Sequence, residues 1–191
     1  MARFAPSESS SAREPTGARF FGHLVARLRR LRDPRGVLRA ILTRYVLPSN
    51  LFPEWLVFAT LKVAGYDVVG PCGLSGARIQ TPSLSIGQGT WANWGVSIEG
   101  RGAVSIGEWA LIGPEVMIVT STHERAEDGR VRLVSTYLPV HIGSRCWIGA
   151  RAIILPGVVI GEDVTVAAGA VVASNIGPGG LYGGVPARRI G

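Results

Sequence analysis

Isoleucine or valine recurs at every sixth residue over much of the chain. Between residues 140 and 174 these positions are Ile142, Ile148, Ile154, Ile160, Val166 and Val172. The residues two places earlier are small or β-branched, namely Val140, Cys146, Ala152, Val158, Val164 and Ala170. Residues i and i−2 of a strand point to the same face, so each unit directs two apolar side chains inward. Short strands that turn at a glycine-containing end, three units to a coil, predict a parallel β-helix of hexapeptide repeats.

The same period extends upstream with one slip and one interruption. Ile86, Ala92 and Ile98 precede a two-residue slip at 100–102, after which Ile106, Ile112 and Ile118 resume the spacing. Residues 120–139 then lack the repeat and are polar and charged. We therefore predict a mainly β fold in which a β-helix domain spans 66–191, with an external loop extruded at 120–139.

The first 65 residues have a different pattern. Residues 1–18 are rich in Ser, Ala and Pro and predict a disordered tail. Residues 19–65 show helical apolar spacing with arginines on the other faces, which predicts a basic amphipathic helical arm. The apolar runs lie at 20–31, 37–46 and 51–64. Two roles stay open for this arm: it caps the open end of the β-helix, or it contacts anionic lipid or an acidic partner.

Composition and charge limit the classes of partner. The chain of 191 residues is 47% hydrophobic and 17% charged, with 26 glycines and a net charge of +7. Residues 1–47 hold ten arginines against three acidic residues, and residues 48–191 are balanced, so we expect no nucleic-acid partner. Two isolated cysteines, no signal peptide and no apolar run of about 18 residues indicate a reduced cytoplasmic protein that spans no membrane.

Several short motifs accompany the repeat: Ala92-Asn93-Trp94, Ser121-Thr122-His123, Cys146-Trp147-Ile148-Gly149 and Gly184-Val185-Pro186-Ala187-Arg188. With these motifs, residues 69–190 resemble the hexapeptide acyltransferases, specifically the sugar and antibiotic O-acetyltransferases of the maltose, galactoside, nodulation-factor and streptogramin type. The resemblance implies a left-handed β-helix, a homotrimer, and transfer of acetyl from acetyl-CoA to a hydroxyl group. Outward Trp91, Trp94, Trp109 and Trp147 agree with covered lateral faces.

The resemblance also implies two catalytic residues. His123 matches the family's catalytic histidine, and a neutral imidazole is suited to removing the proton of an attacking hydroxyl. Glu124, Glu127 and Asp128 are candidates to orient its ring. Asn93 matches the asparagine that binds the acceptor or the tetrahedral intermediate. Glu99-Gly100-Arg101 stands where the family has aspartates, which leaves the acceptor open.

Five further residues match positions that meet coenzyme A in the family. Trp147 would line the pantetheine channel, Ala150, Ala168 and Gly169 would offer backbone amides, and Arg188 would meet the phosphates. Ala173-Ser174 replaces a Thr-Lys pair of many relatives, and Arg151 or Arg189 is a candidate replacement cation.

The positions of the cysteine and histidine residues disfavour two other chemistries. Cys146 occupies an inward position, which indicates a buried structural thiol rather than a nucleophile. His23, His123 and His141 are too scattered for a zinc hydratase, so no metal site is expected. Two alternative functions stay open: N-acetylation of an amino sugar, and a non-catalytic β-helix scaffold.

Overall fold

The computed structural model describes residues 34–41, 43, 53–70, 72–74 and 76–191. The predicted tail over 1–18 and the predicted first helix over 20–31 lie outside these residues. The chain divides into two compact units, residues 1–37 and 38–191, and the second contains the β-helix. Helix α1 spans Pro34–Ile41 and helix α2 spans Glu54–Val63. No helix within the described ranges is long and apolar enough to cross a bilayer.

The helices are followed by short strands, most of two or three residues. In chain order they are β1 (Asp67–Val68), β2 (Arg78–Ile79), β3 (Leu84–Ile86), β4 (Trp91–Ala92), β5 (Ser97–Glu99), β6 (Val104–Ile106), β7 (Leu111–Ile112), β8 (Met117–Val119), β9 (Ser121–Arg125), β10 (Val131–Tyr137), β11 (Val140–Ile142), β12 (Trp147–Ile148), β13 (Ile153–Ile154), β14 (Val159–Ile160), β15 (Thr165–Val166), β16 (Val171–Val172), β17 (Leu181–Gly183) and β18 (Arg188–Arg189).

These strands form three parallel sheets, the faces of a triangular prism. Face A has the order β1-β3-β6-β11-β14, face B the order β18-β17-β15-β12-β7-β4, and face C the order β16-β13-β8-β5-β2. Only β18 pairs antiparallel within them. Partners on successive coils are 18 residues apart where the repeat is regular, as in His141 and Val159, and 20 apart across the slip, as in Leu84 and Val104. The fold is the predicted left-handed parallel β-helix.

The core is the column of inward side chains. The residues predicted to point inward are buried along the whole prism, and all repeat isoleucines from Ile142 to Ile160 are completely inaccessible. Cys146 is likewise buried with 1% of its surface exposed, as its position in the repeat predicts. Stacked coils therefore bury one continuous cluster of Ile, Val and Ala.

Each unit turns at its glycine-containing end, as the repeat predicts, but the glycines that follow the repeat isoleucines are not the residues with left-handed backbone. Left-handed backbone occurs two residues later in each unit, at Trp109, Glu115, Arg145, Arg151 and Asp163. The glycines instead lie against the next coil. A Cβ on Gly149 would lie 2.5 Å from the amide nitrogen of Ala168, and one on Gly107 would lie 2.5 Å from that of Ser144. Glycine is required there because adjacent coils approach too closely for a side chain.

Helix α2 packs against the first coil of the prism. Val57, Thr60 and Leu61 are buried on one side of the helix, and Val57 and Leu61 belong to the same cluster as the first strands. Tyr66 follows the helix, and its hydroxyl donates a hydrogen bond of 2.9 Å to the carbonyl of Thr81. Burial raises the pKa of Tyr66 to about 12.

Arg39, from α1, connects three parts of this region. Its Nε donates to the carbonyl of Ala64 at 2.8 Å, and its Nη1 donates to that of Pro82 at 2.9 Å. The guanidinium carbon lies 5.3 Å from the centre of the Tyr66 ring, within the range of a cation–π interaction. One arginine therefore joins α1, the end of α2 and the first turn of the β-helix.

The segment predicted as an external loop is an antiparallel hairpin. Strands β9 and β10 pair with each other, with Ser135 opposite His123 and Tyr137 opposite Ser121. The hairpin leaves the prism after β8 of face C and returns at β11 of face A. It projects into solvent: Leu133 is 88% exposed.

Candidate active site

Outward side chains of face B form a column along the prism. Successive strands place Trp91, Leu111, Trp147, Thr165 and Leu181 at the same register. Their side chains border a groove of about 540 Å³. Such a volume lies in the range of small-molecule sites, and its mostly apolar lining suits an extended organic chain.

Trp147 lies near the middle of this groove. It alternates with the buried Cys146 and Ile148, so the pleat of the strand directs its indole outward, where 58% of the residue is exposed. An exposed indole offers a broad apolar surface and one N–H donor. The outward direction expected from the repeat is confirmed.

The three small residues predicted to offer amides differ in what they can do. Ala150 and Ala168 line the groove, and their backbone N–H groups have no acceptor among the described residues. Gly169 adopts a φ of +70° and donates its own N–H to the carbonyl of Ala150 at 2.8 Å. Two amides are therefore free to bind a ligand from the groove, whereas the third already has a partner.

Asn93 also borders the groove, immediately after β4. Its backbone N–H donates to the carbonyl of Ile112 at 2.9 Å, which ties it to the next coil. Its side-chain Oδ1 accepts the N–H of Trp94 at 2.9 Å. Because the oxygen is engaged, the Nδ2 group is the part that can donate to a bound molecule.

His123 lies on β9 of the hairpin, and one hydrogen bond of its ring indicates which tautomer is present. Nδ1 lies 2.8 Å from the carbonyl oxygen of Arg132 on β10. A carbonyl only accepts, so Nδ1 carries the proton, and Nε2 of the neutral ring presents a lone pair. The side chain is exposed, which leaves Nε2 accessible.

The group that orients this ring is not one of the predicted carboxylates. Glu124 accepts a hydrogen bond from the hydroxyl of Thr136, and Asp128 pairs with Arg130. The partner of His123 is a backbone carbonyl, which sequence reasoning missed. Every residue carries a backbone carbonyl, so residue type does not single out Arg132. Only the antiparallel pairing of β9 with β10 could have indicated that a carbonyl of β10 lies beside His123.

The structure brings some of the predicted residues together and leaves His123 apart. Asn93, Trp147, Ala150 and Ala168 share the groove on face B. The hairpin that carries His123 leaves the prism between faces C and A, and His123 does not line the groove. Within one chain, the candidate base and the candidate ligand groove are therefore separate.

The candidate phosphate-binding arginine lies at the C-terminal end of face B. Arg188 is on β18, which pairs with β17, and Leu181 of β17 borders the groove. Its Nη1 donates to the carbonyl of Ala187 at 2.9 Å, and the side chain is exposed. Of the two candidate replacement cations, Arg151 forms an ion pair with Glu115, and Arg189 donates to the carbonyl of Gly191.

Two further groups bear on the chemistry. The Cys146 thiol donates to the carbonyl of Gly161 at 3.0 Å, and burial raises its pKa, so it remains an unreactive thiol. Glu99, at the position of the missing family aspartates, accepts a hydrogen bond from the Ser97 hydroxyl. In the described part of the chain, no three His, Cys, Asp or Glu residues are grouped as a metal site would require.

The sequence of the repeat is similar to that of known proteins. A family model described as bacterial transferase hexapeptide (six repeats) matches residues 139–174. Nodulation protein L of Rhizobium meliloti strain 1021 is 39% identical over 142 residues, which cover 71% of this chain and 74% of that protein. Galactoside O-acetyltransferase of Escherichia coli K12 is 33% identical over 108 residues, or 56% of this chain and 53% of that protein. That match spans about half the relative's length.

A solved structure extends the similarity over more of the chain. A hexapeptide-repeat-containing acetyltransferase of Vibrio cholerae O1 biovar eltor, complexed with acetyl coenzyme A, superposes with a TM-score of 0.64 at 26% identity. The superposition covers 87% of this chain and 88% of that one. With the nodulation protein L match, the shared repeat and the shared fold, the chain belongs to the hexapeptide-repeat acyltransferase family.

Proposed function

We propose that the protein is an O-acetyltransferase that moves an acetyl group from acetyl-CoA to a hydroxyl of a sugar or sugar-containing acceptor. The observation that carries the proposal is the state of His123, whose proton on Nδ1 is held by a carbonyl and whose Nε2 is free to act as a base. The galactoside O-acetyltransferase similarity and the acetyl coenzyme A bound in the Vibrio cholerae structure support the substrate classes.

The reaction requires one proton transfer and no covalent enzyme intermediate. Nε2 of His123 takes the proton of the acceptor hydroxyl while the hydroxyl oxygen attacks the thioester carbonyl. The tetrahedral intermediate collapses, the carbon–sulfur bond breaks, and the imidazolium returns the proton to the departing thiolate. General base catalysis of this kind contributes ~10²- to 10⁴-fold to the rate.

The groove on face B fits the co-substrate. Its apolar walls, with Trp147 at the centre, suit the pantetheine arm, and the free amides of Ala150 and Ala168 suit its amide carbonyls or the developing oxyanion. Arg188 lies at the end of the same face, where it can meet phosphate oxygens. Asn93 Nδ2 is available to donate to the acceptor or to the intermediate.

We further propose a homotrimer in which the site forms between subunits. The support is that His123 and the groove are separate within one chain, so that a second copy has to supply one of them. Trp91, Trp94 and Trp109 are 44%, 55% and 59% exposed in the single chain, and an interface along these faces would cover them. Two free buried cysteines support a reducing, cytoplasmic location.

Mass spectrometry of products tests this function. The purified protein is incubated with labelled acetyl-CoA and a panel of sugars, amino sugars and sugar-containing lipids, and free thiol is measured in parallel. We expect acceptor-dependent thiol release and a product that hydroxylamine cleaves, because an ester reacts with it and an amide resists. A hydroxylamine-resistant product would establish N-acetylation instead. Absence of thiol release with every acceptor would favour the scaffold.

A further inference from the structure

The two-residue slip of the repeat presents an arginine beneath the hairpin. Gly100, Arg101 and Gly102 follow β5 and precede the point where the repeat resumes. A Cβ on Gly100 would lie 2.9 Å from the amide nitrogen of Ser121, where the hairpin begins. A Cβ on Gly102 would lie 2.5 Å from the carbonyl oxygen of Leu138, where the hairpin ends. Arg101 is exposed between these two glycines, so it lies at the base of the hairpin.

Hydrogen bonds of Thr120 hold the 100–102 segment against the hairpin. The Thr120 hydroxyl donates to the carbonyl of Glu99 at 2.9 Å and accepts the N–H of Gly102 at 3.0 Å. Its backbone N–H donates to the same Glu99 carbonyl at 2.9 Å, and its own carbonyl accepts the N–H of Leu138 at 2.8 Å. Thr120 is completely buried, and all its polar groups have partners. The backbone of Arg101 is therefore held in place relative to the first residue of β9.

His123 lies on the side of the hairpin that faces this segment. Alternate residues of a strand share a face, so Ser121 and His123 lie on one face of β9 and Glu124 lies on the other. The Cβ of Ser121 would lie 3.1 Å from a Cβ on Gly100, so the face with His123 is the one turned toward the 100–102 segment. His123 is only about 7 Å farther along the strand than Ser121. One sugar unit can therefore contact both the imidazole and the guanidinium of Arg101.

The cations on this side of the hairpin have no carboxylate partner among the described residues. Arg101 forms no ion pair there. Arg125, which follows His123 on the same face of β9, donates to the carbonyl of Gly129. The nearby carboxylates are engaged or lie elsewhere: Glu99 accepts from Ser97, Glu124 accepts from Thr136, Asp128 pairs with Arg130, and Glu127 lies at the distal turn of the hairpin. The surroundings of the candidate base therefore favour an anionic ligand.

We propose that the acceptor is an acidic sugar, whose carboxylate or phosphate group Arg101 binds while His123 takes the proton of one of its hydroxyls. This inference rests on the proposed O-acetyltransferase function and names its substrate class. A guanidinium binds carboxylate or phosphate oxygens through two parallel hydrogen bonds, which orient the sugar as well as attract it. A neutral sugar would make no such contact with Arg101.

Pairs of sugars that differ in one acidic group test the proposal. Acetyl transfer from acetyl-CoA is measured for galacturonic acid against galactose, and for glucose 6-phosphate against glucose, which separates carboxylate from phosphate. We expect kcat/KM to be roughly ten- to a hundredfold higher for the acidic member of at least one pair, the effect of a hydrogen bond between charged groups. This ratio should fall as salt rises. In Arg101→Gln the ratio should fall to near one, whereas Arg101→Lys should keep part of it, because lysine retains the charge without the planar fork.

The variant Arg78→Gln is the matched control. Arg78 is an exposed arginine of face C, on β2 in the preceding coil, and the hairpin does not adjoin it. Its substitution should leave the acidic-to-neutral ratio as in the parent, and melting curves identify any variant that fails to fold. The proposal is overturned if the parent uses both members of each pair equally, or if a folded Arg101→Gln protein keeps the parent's ratio. The O-acetyltransferase function stands in both cases.

A binding measurement keeps the two proposals separable. If no acceptor releases thiol, the proposed function fails, and calorimetric titration with galacturonic acid and glucose 6-phosphate then decides the inference. Binding of either compound that Arg101→Gln weakens at least roughly tenfold supports a site for acidic sugars. Binding that the substitution leaves unchanged, or the absence of binding by both compounds, overturns it.

Discussion

The imidazole of His123 is held by a single backbone carbonyl, that of Arg132. Residue type and motif were sufficient to single out His123, Asn93 and Trp147, because the chemistry needs these side chains. They could not identify the group that orients the ring, since a carbonyl is common to all residues. Nor could they show that the backbone N–H of Gly169 already donates a hydrogen bond to the carbonyl of Ala150. That hydrogen bond depends on the local backbone geometry.

A first prediction concerns a single side chain, that of Asn93. In Asn93→Asp the carboxylate can still accept the N–H of Trp94, so the local fold is kept, but the Nδ2 donor is lost. We expect kcat/KM for the acceptor to fall roughly ten- to a hundredfold, the effect of losing one hydrogen bond to a reacting group. Coenzyme A affinity is measured by calorimetry in parallel, because Asn93 borders the same groove. Full activity in this variant would remove Asn93 from the site.

Among the elements, the six-residue unit was predictable and the hairpin was not. The inward positions follow directly from the period, because each strand alternates buried and exposed residues. Strands β9 and β10 pair mainly with each other and bury little, so no apolar period marks them: Val131, Leu133 and Val134 are all exposed. The role of the repeat glycines also escaped prediction, because close approach between coils is a tertiary property.

The substitution Gly149→Ala tests whether the repeat glycines are needed for the close approach of adjacent coils. A methyl group there would lie 2.5 Å from the amide nitrogen of Ala168, in the backbone of the next coil. We expect Gly149→Ala to destabilise the protein by about 1–3 kcal/mol, as overpacking does, and to lower the melting temperature. Gly177→Ala is the control, because a methyl group at that position would meet no atom within 4 Å other than those of its chain neighbours. Equal melting temperatures for the two variants would contradict the stacking explanation.

The cap formed by α2 and the first coil should respond to alkaline pH. Tyr66, whose pKa is raised by burial, keeps its proton up to about pH 12 in the folded protein, whereas it ionises near 10 when unfolded. Above pH 10 the unfolded state binds fewer protons, so the stability contributed by Tyr66 is present below pH 10 and is lost between 10 and 12. Melting temperatures across this range should fall less steeply for Tyr66→Phe. Identical slopes would show that the phenol does not titrate as its burial implies.

For the whole molecule, the separation of His123 from the groove has a measurable consequence. A mixture of His123→Ala and Asn93→Asp subunits, each less active than the parent, should recover activity after dissociation and reassembly. If each site takes its histidine from one subunit and its asparagine from another, about a quarter of the sites in an equal, random mixture contain both residues. No recovery after reassembly would indicate that one chain supplies the entire site.

The measurement that bears most directly on the central claim is the turnover of His123→Ala with acetyl-CoA and an accepted sugar. We predict that kcat falls by ~10²- to 10⁴-fold, as expected for loss of a general base, while the affinity for coenzyme A is retained because the residues that line the groove are unchanged. Unchanged turnover in a variant that folds and binds coenzyme A would contradict the assignment of His123 as the base.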